Sequence, residues 1–470
     1  MPMKRRCFGS TTRRRVFLAT LITCLTQLLV ASSQDLPPLV GDGVADDTTA
    51  LQTRLNASLA AGQTLRLPAG RYRLTSPVVV PLADQGPFSL IGDNATLVMT
   101  APGPAIQIRG THFKSADPQN VASRVWQHER MPRIEGIAIT ATHPEADGIE
   151  AAGTMQLTIT RIHIRQCRHA IRLIENNRNV ILSECHLYEN TGCGVFYDNV
   201  NLHQSNITGC HISYNDGGGI VCRQGNVRNI HITGCDIESN MAPNRPATAN
   251  VLIDCSDSSH GTGEVAITGC TIQHNNPSPD SANIRIVGKS TPTTKQPLVR
   301  EGNVTITGNV LSDVQVNVHL KDCRGVTLTG NTIWQGYRHN LLFEGCSSLV
   351  LAANNLDRNP RYDYGNTADA NNSVVIRDCE DCTISGLHIT NVWRDPAGLL
   401  LENCRRIHLS DSTIFDCDTC GVWLKNVSES YVHDLFIRDD RENGTSLSLR
   451  TTGGSELTLR NNVLQSERTE

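Results

Sequence analysis

Asn206-Ile207-Thr208-Gly209-Cys210-His211-Ile212 recurs as His231-Ile232-Thr233-Gly234-Cys235-Asp236-Ile237 and as Ala266-Ile267-Thr268-Gly269-Cys270-Thr271-Ile272. Shorter copies follow at Thr305-Ile306-Thr307-Gly308-Asn309 and Thr327-Leu328-Thr329-Gly330-Asn331-Thr332-Ile333, and weaker ones at Leu351-Ala352-Ala353-Asn354 and Thr383-Ile384-Ser385-Gly386. The glycines are spaced by 25, 35, 39 and 22 residues. The short intervals give one basic coil, and the long ones are coils with loop insertions.

A second phrase sits between these copies. It runs Gly219-Ile220-Val221-Cys222, Asn250-Val251-Leu252-Ile253, Asn283-Ile284-Arg285-Ile286, Asn317-Val318-His319-Leu320 and Asn340-Leu341-Leu342-Phe343. It continues through Ser373-Val374-Val375-Ile376, Gly398-Leu399-Leu400-Leu401, Gly421-Val422-Trp423-Leu424 and Ser446-Leu447-Ser448-Leu449. Each is a short period-2 strand opened by Gly, Asn or Ser. Two or three such strands per coil cannot fill a sandwich; they stack as a solenoid of parallel strands, an all-β β-helix. Leucine-rich repeats have a similar period, but their Leu-x-x-Leu-x-Leu skeleton is missing. At ~4.8 Å per rung, about twelve coils make a rod ~55–60 Å long.

The repeat overrides the two or three domains that 470 residues would otherwise suggest. Apolar residues at 39%, charged residues at 19% and a mean hydropathy of −0.25 exclude a multi-span membrane protein and a disordered chain. Aromatics are only 4%, so the core is aliphatic and suits thin stacked layers. The cysteines, 17 in all, follow the repeat. Cys210, Cys235 and Cys270 share one slot, which Asn309, Asn331 and Asn354 take further on. Cys255, Cys323, Cys346, Cys379 and Cys404 share another. In-register β-carbons ~4.8 Å apart do not suit a disulfide, which prefers ~3.8 Å, so buried free thiols are expected. Cys379-x-x-Cys382 and Cys417-x-x-Cys420 have zinc-like spacing but fall in ladder or turn slots.

Residues 1–34 carry six basic residues and no acid, leaving 36 basic against 46 acidic residues in the rest. An acidic body is a poor nucleic-acid binder. The basic start, the apolar run Val16–Val30 and the small residues Ala31-Ser32-Ser33 have the pattern of an export signal. Arg14-Arg15-Val16-Phe17-Leu18 resembles a bacterial twin-arginine signal, with Arg13 where Ser or Thr is usual. Cys24 lacks the small preceding residues of a lipid-attachment site. A periplasmic or extracellular location follows, with no stable membrane span after signal removal. The expected divisions are the signal at 1–34, an N-terminal cap with the first strands at 35–80, repeats at 81–460 and a polar tail at 461–470 that frays. Within the cap, Asp46 and Asp47 supply N-cap chemistry, Leu51, Leu55 and Leu59 form one apolar stripe, and Gly62 ends a helix covering the first coil.

The run Gly41-Asp42-Gly43-Val44-Ala45-Asp46-Asp47-Thr48-Thr49-Ala50-Leu51-Gln52, followed by Leu67-Pro68-Ala69-Gly70-Arg71-Tyr72, resembles the opening of the pectate-lyase-like superfamily. The resemblance implies a right-handed parallel β-helix, often acting on polysaccharide. The superfamily includes lyases, glycoside hydrolases, epimerases, phage tailspikes and proteins of no known activity. The head motif transfers fold and not chemistry. Ser259-His260-Gly261 and Asp439-Asp440 match the polygalacturonase signatures only in part or out of order, and Val125-Trp126-Gln127-His128 has Gln where a calcium-type pectate lyase has Asp.

In the second strand, the residues flanking the apolar ones point outward. A face with Arg223, Arg285, His319, Lys321 and Arg377 suits an acidic sugar chain: a uronate lyase needs cations for the carboxylate and a base for the adjacent proton. Glu344 and Glu402, two coils apart, stand roughly 9.6 Å from one another, at the edge of the inverting-hydrolase range; Asp254 and Glu344, three coils apart at ~14 Å, are too far. Arg285, His319, Lys321, Glu344, Arg377 and Glu402 are thus the catalytic candidates. Arg223, Asp254, Trp423 and the loop tyrosines Tyr362 and Tyr364 are the binding candidates. Calcium has candidate ligands in Asp378, Glu380 and Asp381, which also suit a turn. The reading is an exported, carbohydrate-active lyase or glycosidase working on an acidic glycan; the alternative is a non-catalytic surface or adhesion rod that binds glycan.

Overall fold

The computed structural model describes residues 36–469 apart from 115–117, 296, 443 and 445. The export signal expected at 1–34, with Arg14, Arg15 and Cys24, lies outside the described residues. The chain winds into a β-helix of three parallel sheets. One coil shows the plan: Gly218–Arg223 in sheet 1, Asn226–Thr233 in sheet 2 and Asp236–Glu238 in sheet 3. Each strand pairs in parallel with its counterpart one coil on, at Val221↔Leu252, His231↔Ala266 and Ile237↔Ile272.

The repeated phrase is the corner between sheets 2 and 3. Gly209 and Gly234 take φ of +58° and +59°, a left-handed turn that glycine adopts without a Cβ clash. The next residue points inward, and its slot passes from thiol to amide: Cys210, Cys235 and Cys270 are followed by Asn309, Asn331 and Asn354. All fifteen described cysteines are free and buried, those of the two Cys-x-x-Cys pairs included. A second interior ladder lies near the corner between sheets 3 and 1. There Asn190, Asn215, Asn240, Asn250, Asn283, Asn317 and Asn340 pass side-chain hydrogen bonds from rung to rung at 2.7–2.9 Å.

Helix α1 (Thr48–Ala60) buries Leu51, Leu55 and Leu59 in the core at the first coils, and Gly62 closes it at φ +61°. The two aspartates divide their work: Asp46 accepts from Thr48 N at 3.0 Å, whereas Asp47 accepts from Val40 N and Gly41 N and makes no side-chain cap. Gln52 pairs with both backbone groups of Val79 at 2.8 Å, so the head motif is scaffold. At the other end, the polar stretch expected to fray carries strands Val463–Leu464 and Glu467–Thr469, which pair with the preceding coil. Backbone pairing holds this stretch together with Leu464 packed on the core and with Asn462, Gln465 and Ser466, whose side chains accept backbone N–H groups of the coil before. Among the described residues no helix is long and apolar enough to cross a membrane.

Candidate functional site on the outer face of sheet 1

Register fixes which side chains of sheet 1 point away from the core, although loops bury most of the row. One outward row reads Phe196, Val221, Leu252, Arg285, His319, Leu342, Val375, Leu400 and Trp423. The row is apolar except at Arg285 and His319. The parallel row beside it reads Lys321, Glu344, Arg377, Glu402 and Lys425, alternating in sign. Loops from the corner between sheets 3 and 1 form one wall: residues 275–282 supply Asp280, and residues 393–398 supply Ala397, which packs on Leu342, Val375 and Leu400.

At the break in the apolar row four side chains form one chain of hydrogen bonds. Arg285 Nε donates to His319 Nδ1 at 3.1 Å, His319 Nε2 meets Glu344 Oε2 at 2.8 Å, and Arg377 Nη2 meets Glu344 Oε1 at 2.5 Å. An arginine N–H can only donate, so Nδ1 is bare and Nε2 carries the imidazole proton. Burial pushes His319 below the usual imidazole value; Glu344 opposes this and Arg285 adds to it. For Glu344, burial raises the pKa, but the hydrogen bonds from Arg377 and His319 outweigh it and hold the carboxyl below its ordinary range.

Beside this chain stands a second group. His339 Nδ1 lies 2.5 Å from Ser373 Oγ, and Ser373 donates to Arg338 O at 2.9 Å. Burial, reinforced by Arg338, Arg377 and His319, pulls His339 down to about 4. Asp395 lies next to Ser373 and Asn371, and burial pushes its carboxyl up to about 6. Its Oδ2 is buried without a hydrogen-bond partner.

The structure brings Arg285, His319, Glu344 and Arg377 together and corrects the basic column. Arg285 is only 7% exposed, and Asp280 O, Thr248 O and His319 take its donors, so no face of it is left for a substrate carboxylate. Lys425 Nζ pairs with Glu402 at 2.7 Å, as Arg377 does with Glu344. The two glutamates stand two coils apart with Arg377 between them in register, each neutralised by its own cation rather than facing a shared bond. Lys321 is exposed in the same row.

Arg223 and Asp254 are in register with one another but lie rungs away from Glu344, and Ser256 holds Asp254 at 2.7 Å. Trp423 ends the apolar row, four rungs from His319, with its indole donating to Thr452 Oγ1 and Arg450 4.4 Å from its ring. Tyr362 packs on Trp334 at 5.5 Å and Tyr364 lies 6.4 Å from Tyr362, so both belong to the loop of residues 357–372 over the corner between sheets 3 and 1. The calcium candidates have arginine or amide partners: Glu380 pairs with Arg405, Asp381 with Arg406, and Asp378 with Asn403. Among the described residues no group of three or more His, Cys, Asp or Glu side chains is placed to hold a metal ion. Sequence reasoning missed His339, Ser373 and Asp395. His339 lies inside strand Gly336–Glu344 in register with Ser373, which opens the next, while Asp395 sits in a loop with no repeat signal.

A family model described as "Right handed beta helix region" matches residues 106–272 and 365–469. No curated protein matches the chain in sequence. Among solved structures, the tailspike of E. coli bacteriophage HK620 in complex with a pentasaccharide is 14% identical, with 88% of this chain and 75% of that one covered at a TM-score of 0.52. The Azotobacter vinelandii mannuronan C-5 epimerase AlgE4 A-module is 14% identical, with 92% and 97% covered at 0.43. The Streptococcus pneumoniae adhesin PfbA is 14% identical, with 92% and 98% covered at 0.46. The chain spans 64% of the Dettilon tailspike.

Proposed function

The chain belongs to the right-handed parallel β-helix family, and from that premise we propose that it is an exported polysaccharide-processing protein whose substrate lies along the outer face of sheet 1. The observation that carries the reading is the interruption of the apolar outward row at Arg285 and His319, with Glu344 and Arg377 alongside. Polar groups partly open to solvent, His319, Glu344 and Arg377, suit the hydroxyl rim of a sugar, while of the apolar row only Phe196 and Trp423 are partly exposed. The HK620 tailspike, of the same fold, binds an oligosaccharide.

Two carboxyl groups on this face are displaced in opposite directions, Glu344 downward and Asp395 upward to about 6. Such a split is what an acid and an ionised partner need in glycoside cleavage, and Asp395 and Glu344 are read in those roles. Asp395 is the proton donor to a leaving oxygen. Glu344, held ionised by Arg377, stabilises positive charge developing on the sugar ring; water then adds to the anomeric carbon and gives up its proton to the Asp395 carboxylate, so the broken C–O bond is replaced by C–OH and the acid is restored. Asp280, Glu344 and Glu402 pair with Arg285, Arg377 and Lys425, which weakens this face as a carboxylate binder and favours hydrolysis over uronate elimination, with exposed Lys321 the remaining cation of the row.

A polysaccharide panel incubated with the purified chain tests this, following reducing ends and, in parallel, the ultraviolet absorbance of unsaturated uronate products. New reducing ends without that absorbance are expected. Absorbance gained together with new ends would replace the hydrolase with a lyase. The second reading, a non-catalytic glycan-binding rod, is favoured by the paired charges of the row, and binding without new ends would establish it.

A further inference from the structure

On the outer face of sheet 2, near the C-terminal end of the rod, two imidazoles converge. His408 and His433 point outward from neighbouring coils, and their Nε2 atoms lie 2.9 Å apart. Behind them, His433 Nδ1 meets the Asp434 carboxylate at 2.6 Å. The ring of Tyr431 lies 4.3 Å from that of His433 and 5.9 Å from that of His408, at 3° to the latter. A ring neighbour shared by both imidazoles restricts their orientations.

The hydrogen bonds fix the protons. An ionised carboxylate only accepts, so His433 Nδ1 carries its ring proton and its Nε2 is a bare lone pair. The proton between the two rings therefore sits on His408 Nε2. A carboxylate behind an imidazole is what supports a metal ligand: it sets the tautomer and raises the basicity of the nitrogen in front. His408 is exposed, so the pair is open to an ion from solvent. Charge nearby also favours a cation. Asp411 takes the corner position of Asp434 one coil earlier, against Arg460 in register with His433.

The separation selects the ion. At ~2.0–2.1 Å from both nitrogens, a metal would see them at an angle of about 90°. A tetrahedral ion would need them about 3.3–3.4 Å apart. Two cis nitrogens, with water in the remaining positions, suit the tetragonal geometry of copper(II), which also stands highest in affinity among the divalent ions. Only the exposed His408 ring has to turn its lone pair to the ion. Its proton passes from Nε2 to its own Nδ1, so both rings stay neutral.

We propose that His408 and His433 form a surface site for one copper(II) ion, with Asp434 positioning His433. The site lies on a different sheet from the candidate glycan face and does not rest on the glycan reading.

The test is a copper(II) titration of the untagged full chain, stripped with a chelator beforehand, read by electron paramagnetic resonance and by calorimetry. One saturable site with hyperfine structure from imidazole nitrogens is expected, with copper held more tightly than nickel or zinc. His408→Ala and His433→Ala should each abolish that site while the metal-free chain still melts as a folded protein. Asp434→Asn should weaken it about tenfold and change the nitrogen hyperfine coupling, which a merely structural role would not do. His186→Ala is the control: its ring lies edge-to-face with His211 at 5.0 Å on another sheet, and copper binding should be unchanged. A wild-type chain that binds copper no more tightly than the His408→Ala, His433→Ala double variant overturns the proposal, as does loss of the site in His186→Ala.

Discussion

Arg285 reaches His319 through its Nε at 3.1 Å and thereby fixes which imidazole nitrogen faces Glu344. The consequence is a carboxylate gripped from both sides, by a neutral N–H and by the guanidinium of Arg377. If Glu344 supplies negative charge to a cleavage transition state, Glu344→Gln removes that charge at almost constant volume. Turnover on the responsive glycan should fall by about 10²–10⁴, with binding retained. A variant within twofold of wild type would remove Glu344 from the chemistry.

Asp395 gives a prediction in which activity and stability move oppositely. Its folded pKa, about 6, is raised above the ordinary 3.8 by burial. The folded state therefore binds the proton more tightly, a contribution fully present below the unfolded value and lost as pH rises through about 6. At neutral pH the buried charge is a net cost. Asp395→Asn should raise stability at neutral pH by about 1 kcal/mol, discounted for partial exposure, while abolishing hydrolysis. In the wild type, the rate should decline as pH passes about 6, where the donor loses its proton. Thermal melts and a pH–rate profile check both limbs; an unchanged upper limb in Asp395→Asn would exclude it as donor.

The fold was legible because each coil repeats the same corner. Thr-Gly-Cys at 208–210 and Thr-Gly-Asn at 329–331 mark identical backbone turns, and the period between them sets the rungs. Outward residues of sheet 1 were legible too, since strand alternation fixes them once register is known. What that pattern could not carry was pairing. Whether Arg377 faces a substrate or Glu344 depends on one rung of register and one side-chain rotamer. The site loops were opaque for a related reason: Trp334 and Trp393 line one pocket because an insertion folds over a corner, and no periodicity links them.

His169 and His339 should make the rod acid-sensitive. His169 Nδ1 accepts Cys193 N at 3.0 Å, which requires a bare nitrogen. Burial lowers both rings from 6.5 to about 4. The unfolded chain then binds more protons between those values, so stability is present above 6.5 and is lost as pH falls towards about 4. Each ring contributes on the order of 2–3 kcal/mol, against the opposite trend of Asp395. Denaturant midpoints across this range should drop with acid, and His169→Gln should flatten the slope. A flat profile in the wild type would contradict the buried neutral rings.

The asparagine ladder should be intolerant at its middle. Asn215 accepts from Asn190 N and Nδ2, and its own Nδ2 donates to Leu187 O and Asn240 Oδ1. Asn215→Leu strands polar groups on both neighbouring rungs at once. The expected loss is about 2–4 kcal/mol, read as a shift in denaturation midpoint. Asn426, at an exposed turn of the same solenoid, serves as the control: Asn426→Ala should cost well under half as much.

The thiol ladder explains why cysteine and asparagine exchange within one slot. Cys235 N points at Cys270 Sγ at 3.5 Å, and one rung later Cys270 N donates to Asn309 Oδ1 at 2.9 Å. Sulfur and amide oxygen thus accept the same backbone N–H from the rung before. Cys346 repeats the arrangement in the second slot, with its Sγ 3.4 Å from Cys323 N. A residue there must be small and able to accept, and any further polar group must find its own partner, as Asn309 Nδ2 does at Ile267 O. Cys346→Ser should therefore cost less than Cys346→Val, which fills the volume but leaves Cys323 N unpaired, a penalty of about 1–3 kcal/mol. Burial also raises thiols such as Cys222 to about 12, which suppresses the reactive thiolate. A thiol reagent should modify none of the fifteen described cysteines in the native rod and all of them after denaturation. A reductant should leave the melting temperature unchanged. Rapid native labelling of a ladder cysteine, or a melting temperature lowered by reductant, would mean that the ladder is not the closed stack of free thiols its geometry describes.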